Sequence, residues 1–215
     1  MKKIFSMAPL AAMLLCGCEV PNKNAGLVVA TKVIQATTGS SASSSSGGPI
    51  CTYSPDTQEL TFGIFNPLAG GYTHGLVLEN HLPDNSTLGP GRLNTNDFQV
   101  EYAVIDYGQI DGPAVILPEQ TVPGNALIPT GGKGVTQLDL VSTTVAQAIG
   151  GNTMKIRIYA QVHGILLDGT RVKTNTYEYV VQADPTFTLG VPTCTAPQVA
   201  VACEGVSQDT GTGCH

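Results

Sequence analysis

The strongest constraint on the fold is a strict alternation of apolar and polar residues from Lys155 to Val162. Successive side chains of a β-strand point to opposite faces, so one set is predicted to face a core: Ile156, Ile158, Ala160 and Val162. The dipeptide Asp168-Gly169 follows, and Gly accepts the positive φ of a tight hairpin turn. Residues 171–181 are expected to return as the second strand, with a bulge or an edge at 174–176, where the alternation slips.

Shorter segments with the same period precede this hairpin. Their predicted shared faces are Leu60, Phe62 and Ile64; Leu76, Leu78 and Leu82; Phe98, Val100, Tyr102 and Val104; and Thr136, Leu138 and Leu140. Pro and Gly between 113 and 129 exclude a long helix and allow two or three short extended pieces. Thr143 to Ile149 is the only helix-like stretch, with Thr143 or Thr144 as N-cap and Gly150 as stop. We therefore predict an all-β fold, an immunoglobulin-like β-sandwich with a disulfide-pinned C-terminal tail.

The first eighteen residues have the layout of an export signal. Met1-Lys2-Lys3 is a short basic start, and Ile4 to Leu15 is almost entirely apolar. That stretch has 12 residues, whereas a helix that crosses a bilayer needs about 20. A basic start followed by a short apolar run and small residues predicts a secretory signal peptide that is removed.

The run ends in Leu15-Cys16-Gly17-Cys18, which resembles the lipobox of bacterial lipoproteins. The resemblance implies a diacylglycerol thioether on Cys18, cleavage after Gly17 and acylation of the new amine, for instance by palmitate. Cys16 fits less well as the lipidated residue, because Leu15 would then lie against the cut. Leader, Ser-rich segment and Cys-closed β domain together are also loosely similar to uncharacterised envelope lipoproteins of myxobacteria and related groups.

If the signal peptide is removed and Cys18 carries lipid, four cysteines remain: Cys51, Cys194, Cys203 and Cys214. An even number in an oxidising compartment predicts two disulfides, with three possible connectivities. At least one bridge is expected to join Cys51 to the tail, unless Cys51 stays free. The alternative is a zinc site of four thiols, but the last three cysteines lack the short paired spacing that zinc sites favour.

Three parts of the chain are predicted: a signal peptide at 1–17, a lipid anchor and Ser/Gly-rich tether at 18–49, and a β-sandwich at 50–215. Residues 27–35 have the β-branched composition of a strand, so the Ser/Gly run at 39–48 is either a linker or a loop within one sheet. The expected location is the cell envelope, with the outer membrane or cell surface favoured and the inner membrane open as the alternative.

Charge restricts the partners. Removing residues 1–17 also removes Lys2 and Lys3, which leaves 8 basic and 16 acidic residues and a net charge of −8. Nucleic-acid affinity depends on Lys and Arg that neutralise phosphates, so an acidic chain without a basic run argues against nucleic acid. The expected partners are the membrane, through lipid on Cys18, and a protein or a polysaccharide.

The sequence carries few signs of catalysis. His74 and His81 are an odd number of residues apart and are expected on opposite faces of a strand, while His163 is predicted to face solvent. Seven carboxylates are candidates for an acid–base pair: Glu79, Glu101, Asp106, Asp111, Asp139, Glu178 and Asp184. Asp106 and Asp111 flank a Gly-containing segment that could hold calcium as a loop, although the spacing is not that of the twelve-residue calcium loop. No metal or cofactor site and no catalytic residue is predicted.

Two interpretations follow. The first is a non-enzymatic envelope lipoprotein that serves as a binding or structural module. The alternative is a small secreted hydrolase or carbohydrate-active enzyme on the same sandwich, which requires a cleft where His, Asp or Glu converge. Tyr177 and Tyr179 could form an aromatic ridge for a sugar, but cross-strand packing is the favoured explanation of both.

Overall fold

The fold was analysed on a computed structural model. It describes residues 27–39, 50–85, 94–190, 193, 200–203, 208–209 and 212–214.

Strands dominate the described chain, with a single helix in it. The elements are β1 (Val28–Ile34), β2 (Thr37–Gly39), β3 (Ile50–Thr52), β4 (Gly63–Phe65), β5 (Tyr72–Asn80), β6 (Phe98–Asp111), β7 (Gln120–Pro123), β8 (Leu127–Ile128), β9 (Lys133–Val141), α1 (Thr143–Ile149), β10 (Met154–Leu166), β11 (Arg171–Lys173), β12 (Tyr177–Ala183), β13 (Ala200–Ala202) and β14 (Thr212–Cys214).

Two sheets form the sandwich. The smaller sheet has the order β1-β5-β9, and the larger has the order β4-β12-β10-β6-β7, with β11 beside β10 and β8 beside β6. Neighbours are antiparallel except β4 and β12, which run parallel. In an immunoglobulin fold the first, second and fifth strands lie in one sheet, and the third, sixth and seventh lie in the other. The same division is present here, with β1, β5 and β9 in one sheet and β6, β10 and β12 in the other. The predicted immunoglobulin-like β-sandwich is confirmed.

The core lies between the sheets and contains the alternating residues of β10. Ile156, Ile158, Ala160 and Val162 are buried as predicted, and so are Leu138 and Leu140 of β9. The turn at Asp168-Gly169 is also present, with Gly169 at φ 87°. The interruption predicted at 174–176 separates β11 from β12. Burial of each Ile, Val and Leu side chain in this set supplies about 1.5–3 kcal/mol toward folding.

The inward face of β6 differs from the prediction. Phe98 and Val100 are buried, but the next buried residues are Ala103 and Ile105 instead of Tyr102 and Val104. The reason is a β-bulge: His163 pairs with Tyr102 and Gly164 pairs with Val100, so Glu101 has no partner in the ladder. One extra residue reverses the alternation beyond it.

The predicted face of β4 is also wrong. Gly63 and Phe65 point inward, while Phe62 is 42% exposed and Ile64 is only partly buried. A Cβ on Gly63 would lie 2.6 Å from Cζ of Tyr72 and 3.0 Å from the hydroxyl of Tyr179. The strand therefore passes over the tyrosine rings at its glycine, and that contact determines which side faces the core.

Helix α1 has the predicted bounds but a different cap. Ser142 precedes the helix, and its hydroxyl accepts a hydrogen bond from the Val145 amide at 3.4 Å, so neither Thr143 nor Thr144 is the N-cap. Gly150 ends the helix at φ 59°, as expected. Ser is a favoured N-cap because its short side chain reaches the free amides of the first turn.

Strand β1 belongs to the sandwich. It pairs with β5 along its length, and the Asn175 side chain accepts from the Ala30 amide at 2.8 Å and donates to the Ala30 carbonyl at 3.3 Å. The sandwich thus begins before residue 50, where the sequence placed its start. The segment 40–49 lies outside the described residues; the strands on either side of it, β2 and β3, pair with each other.

The C-terminal tail is attached to β3 and β5. Cys51 and Cys203 form a disulfide, which confirms the expected bridge between Cys51 and the tail. Gln208 lies against β5, where its side chain accepts from the Thr73 amide and donates to the Thr73 carbonyl, both at 2.9 Å. Of the other two cysteines, Cys194 lies outside the described residues, and the side chain of Cys214 is likewise not described.

A small polar cluster lies inside the sandwich beneath this tail. The hydroxyls of Tyr72 and Tyr179 are 3.1 Å apart, and Asp209 of the tail lies 3.6 Å from Nε2 of the buried His74. Burial is the main cause that raises the pKa of Tyr72 well above its usual value, and the charges of Tyr179 and Asp209 add to it. Burial likewise raises the pKa of Tyr179.

These tyrosines predict a loss of stability in alkali. In the unfolded chain tyrosine ionises near pH 10, whereas the folded protein keeps both phenols protonated above that pH, so the unfolded state binds fewer protons. The free energy of unfolding should fall above about pH 10, by up to about 1.4 kcal/mol per pH unit for each tyrosine. Urea unfolding at about pH 9 and about pH 11 measures the effect. In Tyr72→Phe the dependence should be shallower; an equally steep dependence in that variant would contradict the assignment.

The Cys51–Cys203 bridge predicts a second stability effect. The cysteines are 152 residues apart, so the bridge removes a long loop from the unfolded chain and should contribute about 5 kcal/mol in the chain-entropy model. The double variant Cys51→Ser/Cys203→Ser is expected to lose most of that free energy of unfolding in urea denaturation. Limited proteolysis of the variant should cut first in the tail around residues 203–209. An unchanged free energy of unfolding, together with a tail that resists the protease, would show that contacts other than the disulfide hold the tail in place.

Candidate functional site

The three described histidines lie in different environments. His74 is fully buried in β5, and His81, just beyond that strand, is 55% exposed and 3.7 Å from Glu79. This confirms that the two do not share a face. His163 lies on the outer side of β10, as predicted, but it is only partly exposed. Within the described residues no three His, Cys, Asp or Glu side chains form a metal-binding group, and His215 lies outside those residues.

The proposed calcium loop between Asp106 and Asp111 is wrong. Both residues belong to β6, which continues to Asp111. The Asp106 carboxylate accepts from the amide of Tyr107 and the Asp111 carboxylate from the amide of Gly112, each at 2.8 Å. The glycine at 108 did not end the strand, because it lies under the ring of Tyr159 and pairs with Arg157.

Most other candidate carboxylates have local partners of their own. Glu79 lies 2.7 Å from Lys133, Asp139 accepts from the Thr73 hydroxyl at 2.7 Å, and Asp184 accepts from the Thr186 hydroxyl at 2.7 Å. Glu178 lies 3.7 Å from Arg157. Glu101, by contrast, lines a concavity on the larger sheet.

Tyr177 and Tyr179 do not form an exposed ridge. Tyr179 is 4% exposed and packs in the core, while the Tyr177 hydroxyl donates to Glu59 at 3.2 Å. Burial and the Glu59 charge raise the pKa of Tyr177 to about 12. The favoured explanation, cross-strand packing, is confirmed for these residues.

The concavity beside Glu101 is built on a cross-strand row. Tyr102 of β6 pairs with His163 of β10, and His163 pairs with Lys173 of β11. The concavity has a volume of about 210 Å³, and its wall also includes Arg171 and the backbone near Gly164. We call this group the bulge pocket: Glu101, Tyr102, His163, Gly164, Arg171 and Lys173.

The β-bulge creates the pocket. Because Glu101 is the extra residue, the alternation reverses and both Glu101 and Tyr102 reach the outer face. Tyr102 then stacks on His163, with ring centroids 4.8 Å apart and planes 11° apart. A Cβ on Gly164 would lie 2.8 Å from the Phe98 ring and would collide with the Gln99 carbonyl oxygen. Glycine at this position therefore permits the close approach of the two strands.

The pocket contains two cations, Arg171 and Lys173. Within the described chain neither Arg171 nor Lys173 forms a salt bridge, although the whole protein has a net charge of −6. Partial burial, followed by the nearby charge of Lys173, lowers the pKa of His163. A lowered pKa favours the uncharged ring, so the charged groups that line the pocket are Arg171, Lys173 and Glu101.

Two further concavities follow the pocket along β10. One, of about 390 Å³, is lined by Asp106, Tyr159 and Gln161 with Val104 and Thr176. The next, of about 200 Å³, lies between Tyr159 and Arg157 over Gly108 and its neighbours. Together with the bulge pocket they form a surface that we call the β10 trough, whose central row is Arg157, Tyr159, Gln161, His163 and Ile165.

Sequence reasoning found part of this surface. It placed His163, Tyr159 and Gln161 on one outer face, and the structure confirms that placement. It missed Tyr102, which the bulge turns outward, and the pair Arg171 and Lys173. Arg171 and Lys173 are two residues apart, on either side of the buried Val172, and this spacing could have shown that both lie on the same face of a strand.

No family model, curated protein or solved structure matches this chain. In the described residues no helix has the length and apolar character needed to cross a membrane.

The bulge pocket depends on Gly164, which gives a stability prediction. Gly164→Ala places a methyl group against the Phe98 ring and the Gln99 backbone, so we expect a loss of about 1–3 kcal/mol in the free energy of unfolding. Gly151→Ala is the matched control, because nothing lies within 4 Å of its added Cβ. Urea unfolding measures both. Equal effects of the two variants would contradict the role of the strand contact.

Proposed function

We propose that this protein is a lipid-anchored protein of the cell envelope whose β-sandwich is a non-enzymatic binding module, with the β10 trough as its binding surface. The observation that carries the proposal is the pair of cations, Arg171 and Lys173, that form no ion pair with any described residue and lie beside the stacked rings of Tyr102 and His163. Arg171 is exposed and Lys173 is partly buried, so both charges are accessible to a ligand, and neighbouring cations on an acidic protein are complementary to an anion.

The leader supports the anchored location. Cys18 has the position of the lipidated cysteine, and β1 begins at Val28. Ten residues of fully extended chain span at most about 36 Å, so a lipid on Cys18 would hold the sandwich near the bilayer. The outer membrane or cell surface is the favoured location because partners of the trough would then be accessible.

The rigid position of the trough supports binding. Its side chains are on β6, β10 and β11, which are hydrogen-bonded to one another. Binding residues held by a sheet lose little conformational freedom when a ligand arrives, and that lowers the cost of association.

The hydrolase alternative is favoured by one observation, since Glu101 and His163 line the same concavity. A catalytic histidine needs a partner that orients its ring and a proton within hydrogen-bond reach. In the described structure His163 stacks on Tyr102 and has no hydrogen bond to Glu101. We expect the purified protein not to cleave chromogenic glycosides or esters. Turnover that Glu101→Gln abolishes would instead support the hydrolase alternative, whereas Glu101→Gln should not weaken the binding of an anion, because it removes a negative charge from the pocket.

Lipidation gives the direct test of location. Metabolic labelling with palmitate should mark the native protein, and Cys18→Ala should abolish the label because the thioether needs that sulfur. Cys16→Ala is the matched control: it removes a cysteine that leaves with the signal peptide, so its label should persist.

Protease treatment of intact cells then locates the domain. Loss of the sandwich from labelled cells supports surface display, and protection supports a periplasmic location. Label that persists in Cys18→Ala, or is absent from the native protein, would contradict the anchored-lipoprotein proposal.

A further inference from the structure

We propose that the ligand of the β10 trough is an acidic polysaccharide, a polymer of sugars that carry carboxylates, bound in an extended form along β10. This inference rests on the proposed function, since it takes the trough as the binding surface and names the class of molecule that it holds.

The shape of the trough fits a linear polymer. Its central row runs from Arg157 to Ile165, and three concavities follow one another beside it. At about 3.3 Å per residue of strand the row is about 26 Å long. A single sugar or amino acid would occupy one concavity, whereas a chain of linked rings would contact all three.

Aromatic rings are spaced along this row. The ring of Tyr159 covers Gly108, where an added Cβ would be 3.2 Å from it, and the Tyr102–His163 stack lies one concavity further along. Sugar rings present flat C–H faces that pack against aromatic rings, while their hydroxyls need hydrogen-bond partners. Gln161, Asp106 and Glu101 supply such donors and acceptors between the rings.

Charge points to carboxylates on the polymer. Arg171 and Lys173 lie at one end without ion pairs among the described residues, and Arg157 lies at the other end, 3.7 Å from the exposed Glu178. A guanidinium offers two parallel N–H donors to one carboxylate, which favours planar anions. Between the cations at the two ends lie the carboxylates of Glu101 and Asp106, which accept hydrogen bonds from hydroxyls and repel anions. This arrangement matches a polymer that carries hydroxyls as well as carboxylates.

The sheet disfavours an acidic peptide as the occupant. Extended peptides commonly bind by adding a strand to an open sheet edge. β10 is internal, paired with β6 on one side and with β11 and β12 on the other, so its backbone offers no free edge. A polysaccharide needs only the side chains of the face.

The test uses the purified full chain and calorimetric titration with polygalacturonate fragments. Two comparison polymers separate the alternatives: the methyl-esterified form, which has the same backbone without charge, and polyglutamate, which has the charge without sugars. We expect binding to polygalacturonate that weakens with added salt, with much weaker binding to the other two.

Variants connect this binding to the trough. Arg171→Gln/Lys173→Gln should lower the affinity for polygalacturonate at least about tenfold, because two charge-assisted contacts are lost. The matched control, Lys32→Gln/Lys133→Gln, removes the same charge from the smaller sheet and should stay within about twofold. Tyr159→Ala should also weaken binding, and circular dichroism checks that each variant is folded.

Each result that would contradict the inference leads to a different conclusion. Equal binding of the esterified polymer, still sensitive to Tyr159→Ala, overturns the acidic ligand and leaves the trough as the binding surface. Equal or tighter binding of polyglutamate overturns the polysaccharide in favour of an acidic protein. No binding of any polymer overturns the inference, and the labelling experiment on Cys18 still stands by itself. Polymer binding that ignores all trough variants overturns both the inference and the assignment of the trough.

Discussion

The pairing of β6 with β10 is the interaction on which the rest of the structure depends. These two strands are paired from Phe98–Leu166 at one end to Asp111–Lys155 at the other. On the inner side they provide the aliphatic wall against which the β1-β5-β9 sheet packs. On the outer side they provide the row that forms the trough. When a strand pair is buried on one face only, the residues of its other face do not pack in the core, so they can be charged or aromatic.

The bulge at Glu101 joins these two roles. Phe98 must be buried, and its ring lies against Gly164 with no space for a side chain. Farther along, Ala103 and Ile105 are buried against the same core. An odd number of steps separates Val100 from Ala103, so both ends of β6 face inward only if one residue is extra. The same extra residue turns Tyr102 outward onto His163. Core packing and the site thus share one irregularity.

Much of the fold was predictable because its signals are local. The alternation of β10, the Asp168-Gly169 turn and the helix that ends at Gly150 depend on period and on backbone freedom. The bulge and the inward side of β4 were not predictable, because contacts distant in sequence determine them: Gly164 with Phe98, and Gly63 with Tyr72. Candidate site residues on β10 followed from alternation, whereas Tyr102 depended on the bulge. Cysteine counting predicted a bridge from Cys51 to the tail but not the partner, because three connectivities are equivalent in sequence.

The distribution of charge is the reason why the trough is proposed as the binding surface of an acidic protein. Net negative charge keeps the chain soluble and repels other anions over most of its surface. Lys133 and Glu79 neutralise each other on the smaller sheet, and Lys32 donates to the Thr57 carbonyl. Arg171 and Lys173 lack such partners in the described structure, and they lie beside the bulge at Glu101. In the proposed complex these two cations are the groups that an anionic ligand would contact at that face. The general repulsion elsewhere would orient a long acidic polymer along β10 and would disfavour other attachments.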